Sequence, residues 1–430
     1  MSTGILAWQG FFLPDREQRD RLVLTYGYRK DKAKSATLDA ASQLQDFTGL
    51  FPVLWDAEFA PYGTTQSGIN RNIGIVARPL SWLTLFHNRS TTFDLNIGRY
   101  DPFGEEIPGA GGKGRDYGIR LDLWNDRITL RLNKYENSIG PQRASNDVNI
   151  LRDIFFNIDT RVRELDPTAP TINITDGNQR GFRVAGRPNY FIMVDAESEG
   201  YELELNLRPV RNWNIRINGA KSEAKESNIG KPWFDWAEAR KPVWEALVAT
   251  NGEVDEAGRP VTWATAPRSA TSPTGETLQQ YHDNALVGRA LAYMAAADGK
   301  STDTARSARA NLITNYSFTG DRLKGFNIGG AIRWRAAPTI GYGITSTPEG
   351  SVLDLDRAYK GEEELYFDAL LGYRGRFEAF GGMNYRLQLN VRNLLNEDDP
   401  VPVGAFVTGG IAKLATVEPR VIVLSFGVNF

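Results

Sequence analysis

An antiparallel, all-β transmembrane barrel is the fold class this sequence predicts, and three observations predict it. Apolar and polar residues alternate with period two along most of the 430 residues, as in strands with one apolar and one polar face. The connections between these runs alternate strictly between short and long. In an up-and-down sheet that places every short turn at one rim and every long loop at the other. The runs also reach the length, about 9 to 11 tilted residues, that a membrane-crossing strand needs.

The segment from Tyr117 shows the alternation: Tyr117, Ile119, Leu121 and Leu123 are interleaved with Gly118, Arg120, Asp122 and Trp124. Ile128, Leu130 and Leu132 repeat it against Thr129, Arg131 and Asn133. Only the turn Trp124 to Arg127 lies between, which makes the pair a hairpin. The same test along the chain places thirteen strands, at about 4–13, 21–35, 66–79, 83–96, 112–125, 127–142, 194–208, 213–227, 309–319, 325–343, 366–377, 385–396 and 420–430. The short connections are LPDREQRD, RPLSW, WNDR, RPVRNW, TGDRLK and EAFGGMN. The long ones cover roughly 36–65, 97–111, 143–193, 228–308, 344–365 and 397–419. Short turns at one end and long loops at the other is the asymmetry of bacterial outer-membrane barrels, periplasmic and extracellular respectively.

Face chemistry agrees. Leu130, Leu203, Leu205, Leu387, Leu389 and Phe426 are expected to face lipid. Arg120, Asp122, Arg131, Glu202, Glu204, Asn206, Arg216, Arg386, Gln388, Asn390 and Arg392 fall on the other face and are expected to line the lumen. Such a row is costly in a dry core but hydrated or paired in a wide lumen. Trp82, Trp124 and Trp213 sit at or beside short turns, where an aromatic girdle meets lipid headgroups; singly, each is also an ordinary strand-end anchor. Helical stretches at Lys231 to Thr250 and Glu276 to Lys300 carry Trp233, Trp236, Trp244, Tyr281 and Tyr293. These aromatics are candidate ligand contacts on the outer rim, weighed against the plainer reading that a loop of about 80 residues needs its own small core.

Composition narrows the chemistry. Fifty Lys and Arg balance 52 Asp and Glu, and a formal charge of -2 gives no electrostatic reason to bind nucleic acid. No window approaches the roughly 18 consecutive apolar residues of a membrane-spanning helix, so any crossing is made by strands. There is no Cys, and the two histidines, His87 and His282, cannot build a His-rich metal centre; no metal or cofactor is expected. The run Gly109 to Arg115 fails the phosphate-loop pattern, because Ile107 stands at the first glycine position and Gly114 at the Ser/Thr position. Glu202 and Glu204 share a face as glycosidase carboxylates do, yet same-face carboxylates occur in any charged lumen. His87, the only strand histidine, does not by itself make a hydrolase site. No enzymatic activity is expected.

Five segments, Gly112 to Ser138, Ser198 to Ile217, Arg322 to Trp334, Tyr385 to Asp398 and the Phe-terminated final strand, resemble the TonB-dependent outer-membrane receptors. They cover most of the chain in the order of that family's C-terminal barrel. LQLNVRNLLNE is the most specific and GYELEL comes next. The resemblance implies a plugged barrel of about 22 strands in the outer membrane of a Gram-negative type of bacterium. It also implies uptake of a scarce small-molecule ligand, such as a siderophore-metal complex, a vitamin or a glycan, with energy delivered through TonB. Outer-membrane lipid is an implied partner. So is the barrel-assembly machinery, since the alternating final strand with Phe426 and Phe430 resembles the signal it reads.

The family's plug domain, TonB box and signal peptide have no counterpart in the sequence. Thirteen hairpin-joined strands would leave the first and last running in the same direction, whereas even numbers are the rule. The expectation is therefore a partial barrel over residues 1–430, the last thirteen strands of 22, with Met1 an internal methionine and strands 4–13 and 420–430 as edges. TonB contact would run only through the plug, and such a chain is not expected to transport by itself. A passive porin-like or adhesin-like barrel without energy coupling is the alternative.

Overall fold

The computed structural model describes residues 2–14, 20–35, 64–96, 99–103, 105–170, 190–271, 275–300, 306–347, 350–377 and 382–429. Its strands are β1 (Ser2–Pro14), β2 (Asp20–Ser35), β3 (Thr64–Leu80), β4 (Leu83–Asp94), β5 (Ala110–Leu123), β6 (Ile128–Arg143), β7 (Met193–Leu207), β8 (Trp213–Ser227), β9 (Ala308–Ser317), β10 (Phe326–Arg335), β11 (Thr339–Thr347), β12 (Gly350–Lys360), β13 (Glu364–Phe377), β14 (Met383–Arg392), β15 (Val401–Ala405), β16 (Ile411–Ala415) and β17 (Val421–Asn429). Thirteen of them form one sheet in the order β1 to β10, β13, β14, β17, with every adjacent pair antiparallel. Because the strands of this sheet follow chain order, interrupted only by the hairpin excursions β11–β12 and β15–β16, the short connections share one rim and the long ones the other, as the loop sorting predicts. Most of the predicted long loop 36–65, residues 171–189 of the loop 143–193, the turn at Gly381 and the terminal Phe430 lie outside the described residues.

Cross-strand register turns the alternation into continuous rows. One row runs Phe12, Leu22, Ala77, Leu85, Ile119, Leu132, Leu203, Gly219, Ala310, Trp334 and Leu365, with no charged residue in it. Beside it lies Leu83, Leu121, Leu130, Leu205, Ile217, Leu312, Ile332 and Phe367. Nearer the short turns, Trp213, Tyr316, Ile328, Leu371, Leu389 and Leu424 make a third. Many of these side chains are exposed, Leu203, Leu371 and Leu424 among them. An apolar band this continuous is covered by something other than water.

The strand order has β1 and β17 at its ends. Among the described residues each pairs with a single neighbour, β2 and β14 respectively. Both faces of each are open: consecutive Ile5 and Leu6, and Ile422 to Leu424, are all exposed.

Two regions depart from the sequence reading. The strand expected over 325–343 stops at Arg335, because Ala336 and Ala337 lead into Pro338, which has no N–H to donate to a ladder and restricts the residue before it. The chain then leaves the sheet, and β11 pairs with β12 in a separate hairpin. A second small hairpin, β15 with β16, occupies most of the connection read as a plain loop over 397–419.

The long connections also build a helical cap, two of whose three helical parts agree with the stretches expected at Lys231 to Thr250 and Glu276 to Lys300. The connections between β6 and β7 and between β8 and β9 contribute the helices Arg152–Leu165 and Lys231–Glu245 and the continuous helical stretch Leu278–Tyr281, His282–Leu291 and Ala292–Ala297, whose middle part is π-helical. The first of these carries no prediction from sequence. Thr277 opens the third with a capping box: its hydroxyl accepts from the Gln280 backbone N–H, and the Gln280 side chain accepts from the Thr277 N–H. Phe155, Ile158, Val162 and Leu165 of the first helix pack with Trp233, Trp236 and Trp244 of the second and Leu286 and Met294 of the third. This is the main buried apolar cluster of the described residues.

Candidate functional site

The polar face follows from the same register that makes the apolar one. Arg131, Glu204, Asn218 and Asn311 are directly opposite one another on successive strands, and Arg333 and Tyr366 continue the row. Its charges are paired locally. The Arg120 guanidinium donates to both carboxylate oxygens of Asp122, with Nε–Oδ2 and Nη2–Oδ1 each 2.9 Å, and the Thr129 hydroxyl donates to Oδ1 at 2.9 Å. Arg216 Nε donates to Asn206 Oδ1 at 3.0 Å, Asn206 Nδ2 to Glu204 Oε1 at 3.0 Å, and Asn133 Nδ2 to Glu202 Oε2 at 3.2 Å. Phe86 lies across Gly118, where a Cβ would collide with the ring, and Arg131 sits over the same ring at 5.0 Å. Glycine there lets an aromatic lie flat on the wall and carry a cation.

Arg386, Asn390 and Arg392 share this face on β14. Arg386 donates to Gln388, and Gln388 Nε2 to Asn390 Oδ1 at 2.7 Å. Arg392 reaches Glu418 at 3.3 Å. The eleven charged or amide residues predicted for this face are thus brought onto one surface in two clusters. Arg120, Asp122, Arg131, Glu202, Glu204, Asn206 and Arg216 lie on β5 to β8, and the other four on β14.

The β14 cluster borders a cavity of about 590 Å³ between the long-loop ends of β10, β13 and β14 and the hairpins β11–β12 and β15–β16. Arg306, Arg333, Arg335 and Arg392 line it with Glu364, Tyr366 and Glu418. Arg333 makes a two-pronged contact with Asp368, at 2.9 and 3.0 Å, and lies 5.2 Å over the Tyr366 ring. Arg306 binds Glu364 and donates to the Ala336 and Glu362 carbonyls at 2.6 and 2.9 Å; Arg335 approaches the same Glu364 at 3.4 Å. Two arginines therefore share one carboxylate, which leaves the cavity with a cationic excess. The turn after β14 shapes its floor. Asn393 adopts a positive φ of 49°, and its Nδ2 donates to the Glu397 and Glu418 carbonyls at 3.0 and 3.1 Å. That is the physical content of the run NLLNE: an amide that tolerates the left-handed conformation and pins the following loop.

Of these lining residues only Arg392 is among those predicted from sequence. Arg333 and Arg335 alternate with Ile332 and Trp334, and that period-two signal could have found them. Arg306 precedes β9 and carries no local signal.

The aromatic candidates Trp233, Trp236, Trp244 and Tyr281 are placed elsewhere. All four are buried in the cap: the rings of Trp233, Trp236 and Trp244 pack on one another and on Phe155, Trp263 and His282, and Arg268 lies 4.3 Å over the Tyr281 ring. Phe155 and Trp233 are 5.1 Å apart, and Trp236 and Trp244 are 5.9 Å apart. In this arrangement the four side chains contribute to the packed core of the cap. Trp244 Nε1 donates to Asp159 Oδ1 at 3.1 Å, and the same buried carboxylate binds Arg240 and Arg163. On the wall, His87 stacks on Tyr117 at 5.1 Å with its Nδ1 3.1 Å from the Asp116 carbonyl, a structural setting. Among the described residues no group of three or more His, Asp or Glu is arranged to hold a metal.

Neither a family model nor a curated sequence matches the chain. Solved structures do. The ferripyoverdine receptor of the outer membrane of Pseudomonas aeruginosa is 12% identical, with a TM-score of 0.50 over 99% of this chain and 38% of its own. BauA, the ferric preacinetobactin receptor from Acinetobacter baumannii, is 13% identical, with a TM-score of 0.51 over 100% of this chain and 42% of its own. The unliganded ferric citrate transporter FecA is 10% identical, with a TM-score of 0.50 over 99% and 45%. The chain therefore spans less than half the length of the solved chains it resembles, and those chains are receptors and a transporter rather than enzymes. In fold, this chain corresponds to part of the barrel of the TonB-dependent siderophore receptors.

Proposed function

We propose that the chain forms a wall and long-loop rim of an outer-membrane receptor that takes up a small-molecule ligand. The observation that carries this reading is the division of one sheet into a face with a continuous apolar band and a charged, internally paired face. The first suits lipid and the second a hydrated lumen. On this reading Arg120, Asp122, Arg131, Glu202, Glu204, Arg216, Arg386, Asn390 and Arg392 line the lumen. The cavity with Arg306, Arg333, Arg335 and Arg392 then lies on the lumen side at the long-loop end, where a ligand arrives from outside. Its cationic excess favours a ligand carrying carboxylate, catecholate or phosphate oxygens. The solved neighbours named as ferripyoverdine, ferric preacinetobactin and ferric citrate receptors support an iron chelate of that chemistry.

The test is a titration of the detergent-solubilised chain with ferric citrate and with a ferric catecholate, followed by the intrinsic tryptophan fluorescence of the chain. Saturable quenching that Arg335→Gln weakens about tenfold is expected, the scale set by removing one charge-assisted hydrogen bond. Quenching by neither chelate, or equal quenching of the variant, contradicts the assignment.

A further inference from the structure

On the apolar face the rows change character toward the long loops. Along β5 the outward series Leu121, Ile119 and Tyr117 gives way to Arg115 and Lys113. Along β4, Leu83, Leu85 and His87 give way to Arg89, and along β3, Ala77, Ile75 and Ile73 give way to Arg71. Register sets Arg89 directly against Arg115, and Thr91 against both Arg71 and Lys113. Four exposed cations thus occupy two adjacent rows on three strands.

Like charges directly opposite each other destabilise a sheet. On the polar face the facing pair Arg120 and Arg131 is answered by Asp122 and by the Phe86 ring. Here, among the described residues, Arg115 has only Glu136, at 3.9 Å. Among the described residues no carboxylate lies within ion-pair distance of Arg71, Arg89 or Lys113. Across the face the acidic residues hold lysines of their own: Glu136 with Lys134 at 2.6 Å and Glu223 with Lys225 at 3.1 Å. Between the two sides lies an open depression of about 370 Å³, lined by Arg89, Lys113 and Arg115 on one side and by Glu136, Glu197, Glu199, Glu223 and Lys225 on the other, Glu136 standing directly opposite Arg115. An anion is therefore confined to the β3–β5 side.

Depth identifies the anion. From Leu123, beside the tryptophan turn, to Arg115 is eight residues, or about 27 Å at roughly 3.4 Å each. A strand tilt of about 40° leaves roughly 20 Å along the membrane normal, close to the ~25 Å apolar band of such barrels. Acyl chains lying on Ile75, Ile119 and Leu132 would bring their headgroup to the arginines.

We propose that Arg71, Arg89, Lys113 and Arg115 form a site for the phosphate of a lipid headgroup in the leaflet at the long-loop rim. Guanidinium groups match phosphate oxygens in a two-pronged geometry, and one bound phosphate relieves the repulsion between Arg89 and Arg115. The site rests on reading the apolar face as lipid-facing, and the test keeps the two apart. The full chain is inserted into nanodiscs of phosphatidylcholine, with and without phosphatidic acid, and insertion is scored by co-purification. Retained phosphatidic acid is then counted by native mass spectrometry after mild detergent extraction, with inorganic phosphate as competitor.

Wild type and the Arg89→Gln, Arg115→Gln double variant should insert equally. Wild type should retain phosphatidic acid and the double variant about tenfold less, on the scale of two basic contacts to an anionic headgroup. The corresponding double lysine variant should retain an intermediate amount, and millimolar inorganic phosphate should not displace the lipid. Equal retention by wild type and the glutamine variant overturns the proposal. Displacement by inorganic phosphate overturns the lipid source in favour of a free anion. Failure of wild type to enter either nanodisc contradicts the lipid-facing reading and the site with it.

Discussion

Leu424 in β17 is 67% exposed, whereas Trp236 in the cap is 0% exposed. The wall and the cap place apolar side chains in opposite ways within one chain. The cap does what a water-soluble domain does: Phe155, Ile158, Trp233, Trp236, Trp244, Leu286 and Met294 are all inside. The wall has no comparable interior, and its aliphatic rows lie on an outer surface while the charged residues pair with each other on the opposite one. On the outer-membrane reading proposed above, the difference teaches that the two regions are stabilised against different solvents. The cap is held by burial from water, and the wall, on that reading, by its hydrogen-bond ladders together with an apolar phase outside it.

The most severe way to break the cap alone is Trp236→Ala, which removes a fully buried ring between Phe155 and Trp244. A loss of about 3–5 kcal/mol of cap stability is expected, seen in denaturant unfolding followed by tryptophan fluorescence, with strand circular dichroism in detergent unchanged. Concerted loss of both signals would show that the two regions are one cooperative unit.

The wall is broken from the other direction. Leu389→Arg, on the apolar face, should cost about 2–4 kcal/mol near the bilayer midplane, while Asn390→Arg on the polar face should change stability by less than about 0.5 kcal/mol. Refolding titrations in lipid vesicles measure both, and equal costs would mean that the two faces meet the same environment.

Acid should destabilise the cap. Hydrogen bonds from Arg161 hold the Glu253 carboxyl below its ordinary value, and the Thr168 hydroxyl does the same for Asp166. A carboxylate with a lowered folded-state pKa contributes stability that is present above its unfolded value, near 4, and is lost as pH falls through the folded value. Cap fluorescence should therefore change as pH falls below about 4, and Glu253→Gln should flatten that dependence. Acid-induced change in Glu253→Gln equal to that of wild type would remove this ion pair from the account.

The smallest effect is expected at Lys241, 3.8 Å from Glu245 on the cap's exposed face. Lys241→Ala should shift cap stability by no more than about 0.5 kcal/mol, measured by the same unfolding curve, because both side chains are solvated.

How much was legible in the sequence follows from the same contrast. Strand positions and faces were readable wherever one side of the wall is apolar and the other charged, as from Tyr117 to Leu132, because period two is written into neighbouring residues. The read-through at 325–343 shows the limit. Alternation continues past Arg335 into β11, and only Pro338 marks that the chain has left the sheet. The cap was legible as helix in two of its three helical parts, but its core was not. Whether Trp236 faces a ligand or Phe155 depends on contacts about 80 residues apart in the chain, which no local pattern records. The arginine cavity is hidden for the same reason: Arg306, Arg335 and Arg392 converge only after β10, β13 and β14 have paired.

The central claim, one sheet between two solvents, is tested most directly by spin labels, since the chain has no cysteine to compete with those introduced. Labels at Leu203→Cys and Leu371→Cys on the apolar face, and at Glu204→Cys and Arg333→Cys on the polar face, are compared in lipid vesicles for collision with oxygen and with a water-soluble nickel chelate. The account predicts that the first pair is relaxed chiefly by oxygen and the second chiefly by the chelate. Equal access of the nickel chelate to both pairs would contradict it.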